Sequence, residues 1–482
     1  MGIIMANFQW TGSANAGDFS TAANWQPAAG APPGLNDTAL IENPATPITG
    51  TGTAHILYTS GPVEFEGHFT ATYGSPVNGQ PLSLRPGTVL TTAMLHSPVA
   101  LVPNAPNTGT LKVRASSRVV IEGSHTPNNY AIQLAQSAGT DATLVVEGAG
   151  AVVNGGNLPM SVGQEGNGVL TIRDGGVVSV GNDDPLIYPW CLVIGNHPGS
   201  FGTVEVQQAT LIAHGQIIVG RKSEGTIWVS AGGLIVAEDM AIGWAPSASP
   251  GTSQNEGIGA VEVRGHDARL IVANLLEVQH MGVGALAVKD GAFVSAGIGL
   301  IVNGPLVLED GTIETTALDI NATLRGSGTI SASQGISNSG TITAEARLLL
   351  IGNIDNSALI EIASGGDLRC LGALTDEGDI TLQANSVASL ESVSGQTITF
   401  GGSHARLVLR SPGAFNGSIT GFAATHEIVV YAEVSGLVYS TIDKVLTVNG
   451  SGGGPIAQIK MNGSYMSNSF HLAPGFPSVI SV

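Results

Sequence analysis

Apolar and small polar residues alternate along most of this chain, in short runs that are separated by glycine-containing corners. Between residues 168 and 225 one unit of three such runs occurs twice, as GVLTIRDGGVVSVG with WCLVIGN, and then as GTVEVQQATLIAHGQIIVG. A period of two over four to six residues is typical of a half-buried β-strand. Repetition of a whole strand–turn–strand–turn–strand unit is typical of a solenoid. The pattern therefore predicts an all-β solenoid.

The repeat also predicts where successive units begin, and where extra residues enter. The predicted starts are Gly109, Ala142, Gly168, Gly202, Gly225, Gly259, Gly284, Gly304 and Ala322. As far as Gly259, every second unit carries a polar insertion of about ten residues, namely GSHTPNNYAIQ, GNDDPLIYP and APSASPGTSQNEG. Insertions at equal phase emerge on one side of a solenoid and tend to form its variable or binding face. We therefore expect ligand binding on these loops, the 244–257 loop included.

The two ends of a solenoid expose an apolar cross-section and an open strand edge, which must be covered. Residues 1–108 predict an N-terminal cap with irregular early repeats, residues 109–376 the regular repeats with their insertions, and residues 377–482 the last repeats with a C-terminal β cap. Trp10 and Trp25 lie in the first segment. Their predicted role is to anchor the cap, and the alternative is a stacking platform for carbohydrate.

Composition excludes several functional classes. The net charge is −19 with only 17 basic residues spread along 482 positions, which argues against a basic groove for nucleic acid and against a polybasic membrane contact. No apolar run approaches about 18 residues, so no membrane-inserted helix is expected. The opening MGIIMANFQW lacks a basic region and predicts no Sec signal peptide. Cys191 and Cys370 are predicted to lie too many repeats apart for a disulfide, and to be buried as small apolar residues.

Several motifs resemble those of a known group of proteins. The opening Trp-Thr-Gly, Asn-Trp and Asn-Asp-Thr-Ala elements, and the repeats of form Gly-x-Leu-x-Val with Leu-x-Ile-Gly-Asn, resemble autotransporter-type and filamentous-haemagglutinin-like adhesin passengers of bacteria. The resemblance implies a right-handed parallel β-helix located outside the cell or on its surface. A second family of the same implied architecture is the phage tailspike or virion-surface β-helix, whose members are usually trimers and in some cases cut polysaccharides.

Candidate chemistry is sparse. Glycan cleavage needs two carboxylates about 5–10 Å apart on one face, and the weak candidates are the adjacent pairs Asp183 with Asp184, and Glu238 with Asp239. Solvated loop charges are the alternative interpretation. Three Asp-Gly pairs, at Asp174, Asp290 and Asp310, are interpreted as corners in which Gly takes a positive φ. The histidines show no ligand spacing, so neither a metal site nor a cofactor is predicted.

The sequence therefore predicts a non-enzymatic extracellular or surface-displayed adhesin or structural rod. Its candidate binding residues are aromatic: Trp10, Trp25, Tyr188, Trp190 and Trp244. The expected partner is a surface glycan or a protein receptor. The alternative is a phage virion protein, such as a tailspike, fibre or decoration component, which assembles with other virion subunits as a homotrimer and acts on host polysaccharide.

Overall fold

The structure, a computed structural model, describes the whole chain except residues 1–5, 13–16, 28–29, 43, 61, 79–81, 86, 93–94, 98–107, 122–129, 182–189, 246–256 and 474. The described residues form β-strands and two short 3-10 helices, Ala22–Asn24 and Pro412–Ala414, so the predicted all-β class is confirmed. The chain divides into two compact units, residues 1–273 with 279–285 and residues 274–278 with 286–482. The three predicted segments divide the chain by type of repeat and stay a prediction.

The first unit contains most of the repeats that carry insertions. Its strands are β1 (Asn7–Trp10), β2 (Trp25–Gln26), β3 (Thr38–Glu42), β4 (Ile48–Ser60), β5 (Val63–Asn78), β6 (Leu82–Leu84), β7 (Val89–Thr92), β8 (Leu95–Ser97), β9 (Thr108–Val113), β10 (Arg118–Ile121), β11 (Ile132–Leu134), β12 (Asp141–Glu147), β13 (Val152–Asn154), β14 (Met160–Val162), β15 (Asn167–Arg173), β16 (Val177–Val180), β17 (Trp190–Ile194), β18 (Phe201–Gln207), β19 (Thr210–Val219), β20 (Glu224–Ser230), β21 (Leu234–Ile242), β22 (Ile258–Arg264) and β23 (Arg269–Val272).

Equivalent strands of successive repeats pair in parallel and position for position. The first strands of five repeats illustrate this, since β12 pairs with β15, β15 with β18, β18 with β20, and β20 with β22. In this register the buried aliphatic residues of the five strands stack on one another, namely Leu144, Leu170, Val204, Ile227 and Val261. Six of the nine predicted repeat starts are confirmed by one aligned column, which contains Gly109, Ala142, Gly168, Gly202, Gly225 and Gly259.

The glycines of this column are required by a close backbone approach. A Cβ added to Gly225 would lie 2.4 Å from the backbone nitrogen of Gly220, and one added to Gly202 would lie 2.3 Å from the carbonyl oxygen of Val162. Real Cβ atoms do not approach backbone this closely. The repeated Gly-x-Leu-x-Val pattern therefore records a position where the turn of one repeat passes directly beside the strand of another.

Two sequence-based expectations need correction, the first of them in part. The positive φ expected of the glycine in each Asp-Gly corner is confirmed at Gly175 (86°) and Gly291 (79°), where Asp174 and Asp290 are left-handed as well. It is wrong at Gly311, where the aspartate alone is left-handed, with φ of 58° at Asp310. An Asp side chain tolerates this conformation better than most residues. The insertions also do not share one phase. Segments 122–129 and 182–189 join the second strand of a repeat to the third, whereas segment 246–256 joins β21 to β22, after the third strand.

The second unit contains the shorter repeats and the C-terminal strands. Its strands are β24 (Leu275–Val278), β25 (Val283–Lys289, from Leu286 onward), β26 (Phe293–Val302), β27 (Leu306–Ile320), β28 (Thr323–Asn338), β29 (Thr341–Ile351), β30 (Ile354–Asn356), β31 (Leu359–Ile362), β32 (Asp367–Thr375), β33 (Asp379–Leu382), β34 (Val387–Phe400), β35 (Arg406–Leu409), β36 (Phe415–Thr420), β37 (Glu427–Val430), β38 (Val434–Ser440), β39 (Val445–Gly450), β40 (Pro455–Asn462), β41 (His471–Ala473) and β42 (Ser478–Ser481).

Parallel stacking continues through most of this unit. One fully buried column contains Leu324, Ile342, Ile360, Ile380, Ile398 and Ile419. A buried polar row accompanies it, in which Asn338 Nδ2 donates to Asn356 Oδ1 at 2.6 Å and Asn356 Nδ2 donates to Gln396 Oε1 at 2.7 Å. Buried amides are costly when their hydrogen bonds are not made, and in this row Asn338 Oδ1 at one end is buried without a partner. The two amide–amide hydrogen bonds favour one stacking register.

The pairing becomes antiparallel near the end of the chain. Strand β38 pairs with β39, β39 with β40, β41 with β42, and β42 with β37, all antiparallel. This change interrupts the parallel stack within the segment for which a C-terminal β cap is predicted. Among the described residues, no helix has the length and hydropathy to cross a membrane.

The glycine column leads to a stability prediction. We expect Gly225→Ala to lower the free energy of unfolding by about 1–3 kcal/mol, because the added methyl group must displace backbone and not a flexible side chain. Urea unfolding followed by circular dichroism measures the change. Gly436→Ala is the matched control, since a Cβ there meets nothing within 4 Å and the glycine does not have a positive φ. Equal losses in the two variants would contradict the explanation.

Candidate functional site

The two predicted N-terminal binding residues lie inside an aromatic cluster. Trp10 is 7% exposed and Trp25 is 1% exposed, and their ring centroids lie 5.0 Å apart in an edge-to-face contact. Phe19 packs against Trp25 at 4.7 Å, and its carbonyl oxygen accepts a 2.8 Å hydrogen bond from Trp25 Nε1. Neither indole offers a free face on which a sugar could stack. This placement favours the cap interpretation over the carbohydrate platform.

Trp190 and Trp244 belong to a second arrangement, which we call the corner stack and define as Trp190, Arg221, Trp244 and His280. The guanidinium carbon of Arg221 lies 5.0 Å from the ring centroid of Trp190 and 5.4 Å from that of Trp244. The imidazole of His280 stacks on Trp244 at 6.4 Å with an interplanar angle of 8°. Cations at such distances are attracted by the negative face of an indole ring.

Glycines with a positive φ place Arg221 and Trp244 at equivalent positions of successive turns. Gly220 and Gly243, with φ of 70° and 68°, each follow the third strand of a repeat and immediately precede Arg221 and Trp244. The turns stack directly, because the backbone nitrogen of Trp244 donates to the carbonyl oxygen of Gly220 at 2.9 Å. Equivalent side chains therefore emerge in one column.

Polar side chains of earlier turns extend this column. Arg221 Nη1 donates to Asn196 Oδ1 at 2.8 Å, and Asn196 Nδ2 donates to Gln164 Oε1 at 2.7 Å and to the Tyr130 hydroxyl at 3.0 Å. Burial, as the largest cause, lowers the pKa of the neighbouring His197. Since its ordinary value is already below 7, this histidine is neutral at pH 7. The hydrogen bonds of the column are continuous from Arg221 through Asn196 to Gln164 and Tyr130, whereas Arg221 Nε is buried without a hydrogen-bond partner.

The contacts of the corner stack stabilise the fold and leave little of the Trp244 indole surface for a ligand. Trp244 is half-buried and has Arg221 from the preceding repeat on one side and His280 from the following turn on the other. The outward-facing side chains of the third strands, which alternation would leave in solvent, are also buried, as Val193, Ile218 and Ala241 show. The stack therefore accompanies a second buried row on the outer side of these strands.

The candidate acidic residues are only partly described. Asp183, Asp184 and Tyr188, and most of the 244–257 loop, lie outside the described residues. Glu238 and Asp239 are both half-buried and sit on β21 between the inward-facing Ala237 and Met240. In the part of the chain that the structure describes, no group of three or more His, Cys, Asp and Glu side chains is arranged to bind a metal ion.

A different surface of the first unit exposes an aromatic ring. We call it the first-strand face and define it by the outward side chains of β12, β15, β18, β20 and β22. Ile227 and Val229 point inward and are fully buried, whereas Trp228 between them is 50% exposed. The register places Glu205 beside Trp228 on one neighbouring strand and Glu262 beside it on the other. An indole ring here lies open to solvent between two carboxylates.

Apolar side chains are also exposed at the beginning of these strands. Phe201 and Ile258 align in register with Glu224 between them, and each is about half exposed. Val283 begins the next strand of the unit and is exposed to the same extent. Surface aromatic and aliphatic groups that cluster in this way are typical of interaction surfaces.

The second unit offers a groove of about 800 Å³ between β36 and β40. Three glycines line it together with apolar side chains such as Phe415 and Pro455, and Lys460 is its charged group beside the polar side chains of Asn416, Ser418 and Gln458. The groove is open and mostly polar, whereas specific small-molecule sites are concave, mostly apolar and bury most of their ligand. The first-strand face is therefore the stronger candidate site.

No protein-family model matches this chain, and no curated protein matches it significantly. A function can therefore be inferred only from the geometry of the described residues. Sequence reasoning missed Trp228, Glu205 and Glu262 because they become neighbours only through the register between repeats. The available signal was the run Thr-Ile-Trp-Val-Ser, in which a large aromatic residue occupies an outward position of a strand whose neighbours alternate regularly.

The corner stack leads to a second stability prediction. We expect Arg221→Ala to lower the free energy of unfolding by about 1–3 kcal/mol, because two cation–π contacts and the hydrogen bond to Asn196 are lost. Arg221→Lys should recover only part of this loss, since an ammonium lacks the planar stacking surface. Chemical unfolding measures both variants. Lys222→Ala is the neighbouring control, and a loss as large in this control would contradict the role of the stack.

The cysteines lead to a prediction about reactivity. Both are free and buried, and burial raises the pKa of Cys191 and of Cys370 to about 12. Because the thiolate is the reactive species, we expect no reaction with a thiol-specific disulfide reagent at pH 8 in the native protein, and two reacting thiols per chain after unfolding. Rapid native labelling of either cysteine would contradict the buried placement.

Proposed function

We propose that the chain folds as a right-handed parallel β-helix and acts as a non-enzymatic adhesin or structural rod, displayed outside the cell or on its surface. Position-for-position parallel pairing of successive repeats supports the solenoid. Right-handedness is supported by the general preference of parallel strand crossovers, about 98% of which are right-handed. Surface display follows the resemblance to adhesin passengers.

The observation that carries the binding proposal is the first-strand face. It presents Trp228 at half exposure, flanked by Glu205 and Glu262, and it presents Phe201 and Ile258 near the strand starts. An exposed indole has a large contact area and few rotatable bonds, so it loses little entropy on binding. The partner class is a surface glycan or a protein receptor, and recognition occurs by contact with this face.

One observation favours the second candidate, a phage virion protein that acts on host polysaccharide. Glu205 and Glu262 occupy one outward row with a single strand between them, which separates their backbones by about 9–10 Å. Inverting glycan hydrolysis uses carboxylates about 6.5–9.5 Å apart. The trimeric state typical of virion fibres is the independent signature of this alternative.

Binding assays and particle mass separate the two candidates. We expect the full chain to be a monomer of 48.7 kDa by light scattering, to bind an array of cell-surface glycans and extracellular proteins, and to release no reducing ends from bound glycans. Trp228→Ala should weaken binding about tenfold or more, as for aromatic anchors of interfaces.

The control for this experiment is Ile298→Ala, which removes a side chain of the second unit that is 61% exposed. Equal binding by the wild type, Trp228→Ala and Ile298→Ala would contradict the role of the first-strand face. A stable trimer that releases reducing ends, and loses this activity in Glu205→Gln, would establish the virion alternative instead.

A further inference from the structure

The neighbours of Trp228 form a polar ring around an apolar centre. Glu205 and Glu262 lie on the two adjacent strands, about 4.8 Å away across the sheet. Thr226 and Ser230 precede and follow Trp228 by two positions and share its face. Gln207 and Arg264 occupy the diagonal positions next to Ser230 and are exposed. The ring therefore combines carboxylate and hydroxyl acceptors with hydroxyl, amide and guanidinium donors.

We propose that Trp228 is the stacking platform for an uncharged sugar ring within an extended neutral glycan. The proposal rests on the proposed function and names the ligand class of the same face. The C–H groups on one face of a pyranose pack on the indole, and its equatorial hydroxyls point outward into the polar ring. Glu205 and Glu262 accept hydrogen bonds from these hydroxyls on opposite sides of the ring.

The carboxylates retain the capacity for this role. Thr171 Oγ1 donates to Glu205 Oε2 at 3.4 Å, and Glu262 also has an interaction within the chain, but an ionised carboxylate has about four acceptor sites. Hydrogen bonds to ionised groups are stronger than those between neutral groups. Two such acceptors on either side of one ring therefore fix its position about the indole.

Charge and desolvation favour a neutral glycan over the two other possible ligands of this face, a polyanionic glycan and a protein. Two carboxylates against one guanidinium leave the ring with a net negative charge, and the whole chain has a net charge of −19, so a polyanionic glycan is repelled. A protein partner would have to bury Glu205 and Glu262 away from water, and the desolvation of two carboxylates is costly. A neutral glycan replaces the water at these carboxylates with hydroxyl donors and leaves both of them partly solvated.

The register also predicts the direction of the glycan. Thr171, Glu205, Trp228 and Glu262 form one straight row across four consecutive strands. Each of these strands therefore contributes one polar or aromatic side chain to the row, and adjacent side chains are one strand spacing apart. A chain that runs across the strands meets successive contacts, whereas a single sugar meets only Trp228, so oligosaccharides should bind more tightly than monosaccharides.

Titration calorimetry with defined oligosaccharides tests the inference. The probes are neutral hexasaccharides of glucose, mannose and xylose, the matching monosaccharides, an oligomer of hyaluronan as the anionic probe, and an oligomer of glucosamine as the cationic probe. We expect at least one neutral hexasaccharide to bind at least tenfold more tightly than its monosaccharide. Trp228→Ala should weaken that binding at least tenfold, Trp228→Phe should retain part of it, and Ile298→Ala, which lies outside this face, should change it less than threefold.

The double variant Glu205→Gln with Glu262→Gln provides the second arm. It keeps acceptor atoms but removes both charges, so we expect binding of the anionic oligomer to increase relative to wild type while neutral binding falls several-fold. Unchanged melting temperatures confirm that each variant is folded.

The outcomes separate the ligand class from the proposed function. If no neutral hexasaccharide binds, or if its binding survives Trp228→Ala, the inference is wrong. If Trp228-dependent binding appears only to a protein receptor or only to a charged glycan, the adhesin proposal stands and the neutral-glycan inference is overturned. If neither array nor calorimetry detects binding that depends on Trp228, both fall.

Discussion

The parallel, position-for-position register between repeats is the constraint on which this structure depends. Each residue lies about 4.8 Å from its equivalents in the repeats before and after it, so every column must be compatible with itself. Inward columns satisfy this with aliphatic residues of similar size, as in the fully buried row from Leu324 to Ile419. The column of Gly202, Gly225 and Gly259 satisfies it by having no side chain where a turn crosses.

The same constraint determines where polar groups can be buried. In the row of Asn338, Asn356 and Gln396, the central amide of Asn356 accepts from one neighbour and donates to the other, and Gln396 Nε2 donates to backbone carbonyl oxygens. At the corners of the first unit, the stacking of successive repeats brings Arg221 into cation–π contact with Trp244, although the two residues are not close in sequence. Columns of equivalent residues that stack on one another can thus be built from planar groups as well as from aliphatic ones.

Stacking also distinguishes aromatic residues that stabilise the protein from exposed ones such as Trp228. Trp10, Trp25 and Trp244 have their faces occupied by other rings or by a guanidinium. Trp228 is 50% exposed on a strand face, where Glu205 and Glu262 lie beside it in register. This exposed aromatic group between two carboxylates is the feature on which the binding proposal depends.

The sequence by itself determined the strands, the repeat starts and the buried aliphatic pattern, because alternation and Gly-x-Leu-x-Val spacing depend on local geometry that each repeat encodes independently. Gly168, Gly202 and Gly225 were identified as repeat starts for this reason, and their register bears this out. Only the tertiary structure decided which side chains meet. The contact of Trp190 with Arg221, the burial of Val193 on the outer side of its strand, and the position of Trp228 between two carboxylates all depend on register between repeats of unequal length. The insertions change those lengths, and a shift of one residue in the register of a strand would move each of its side chains to the opposite face of the sheet.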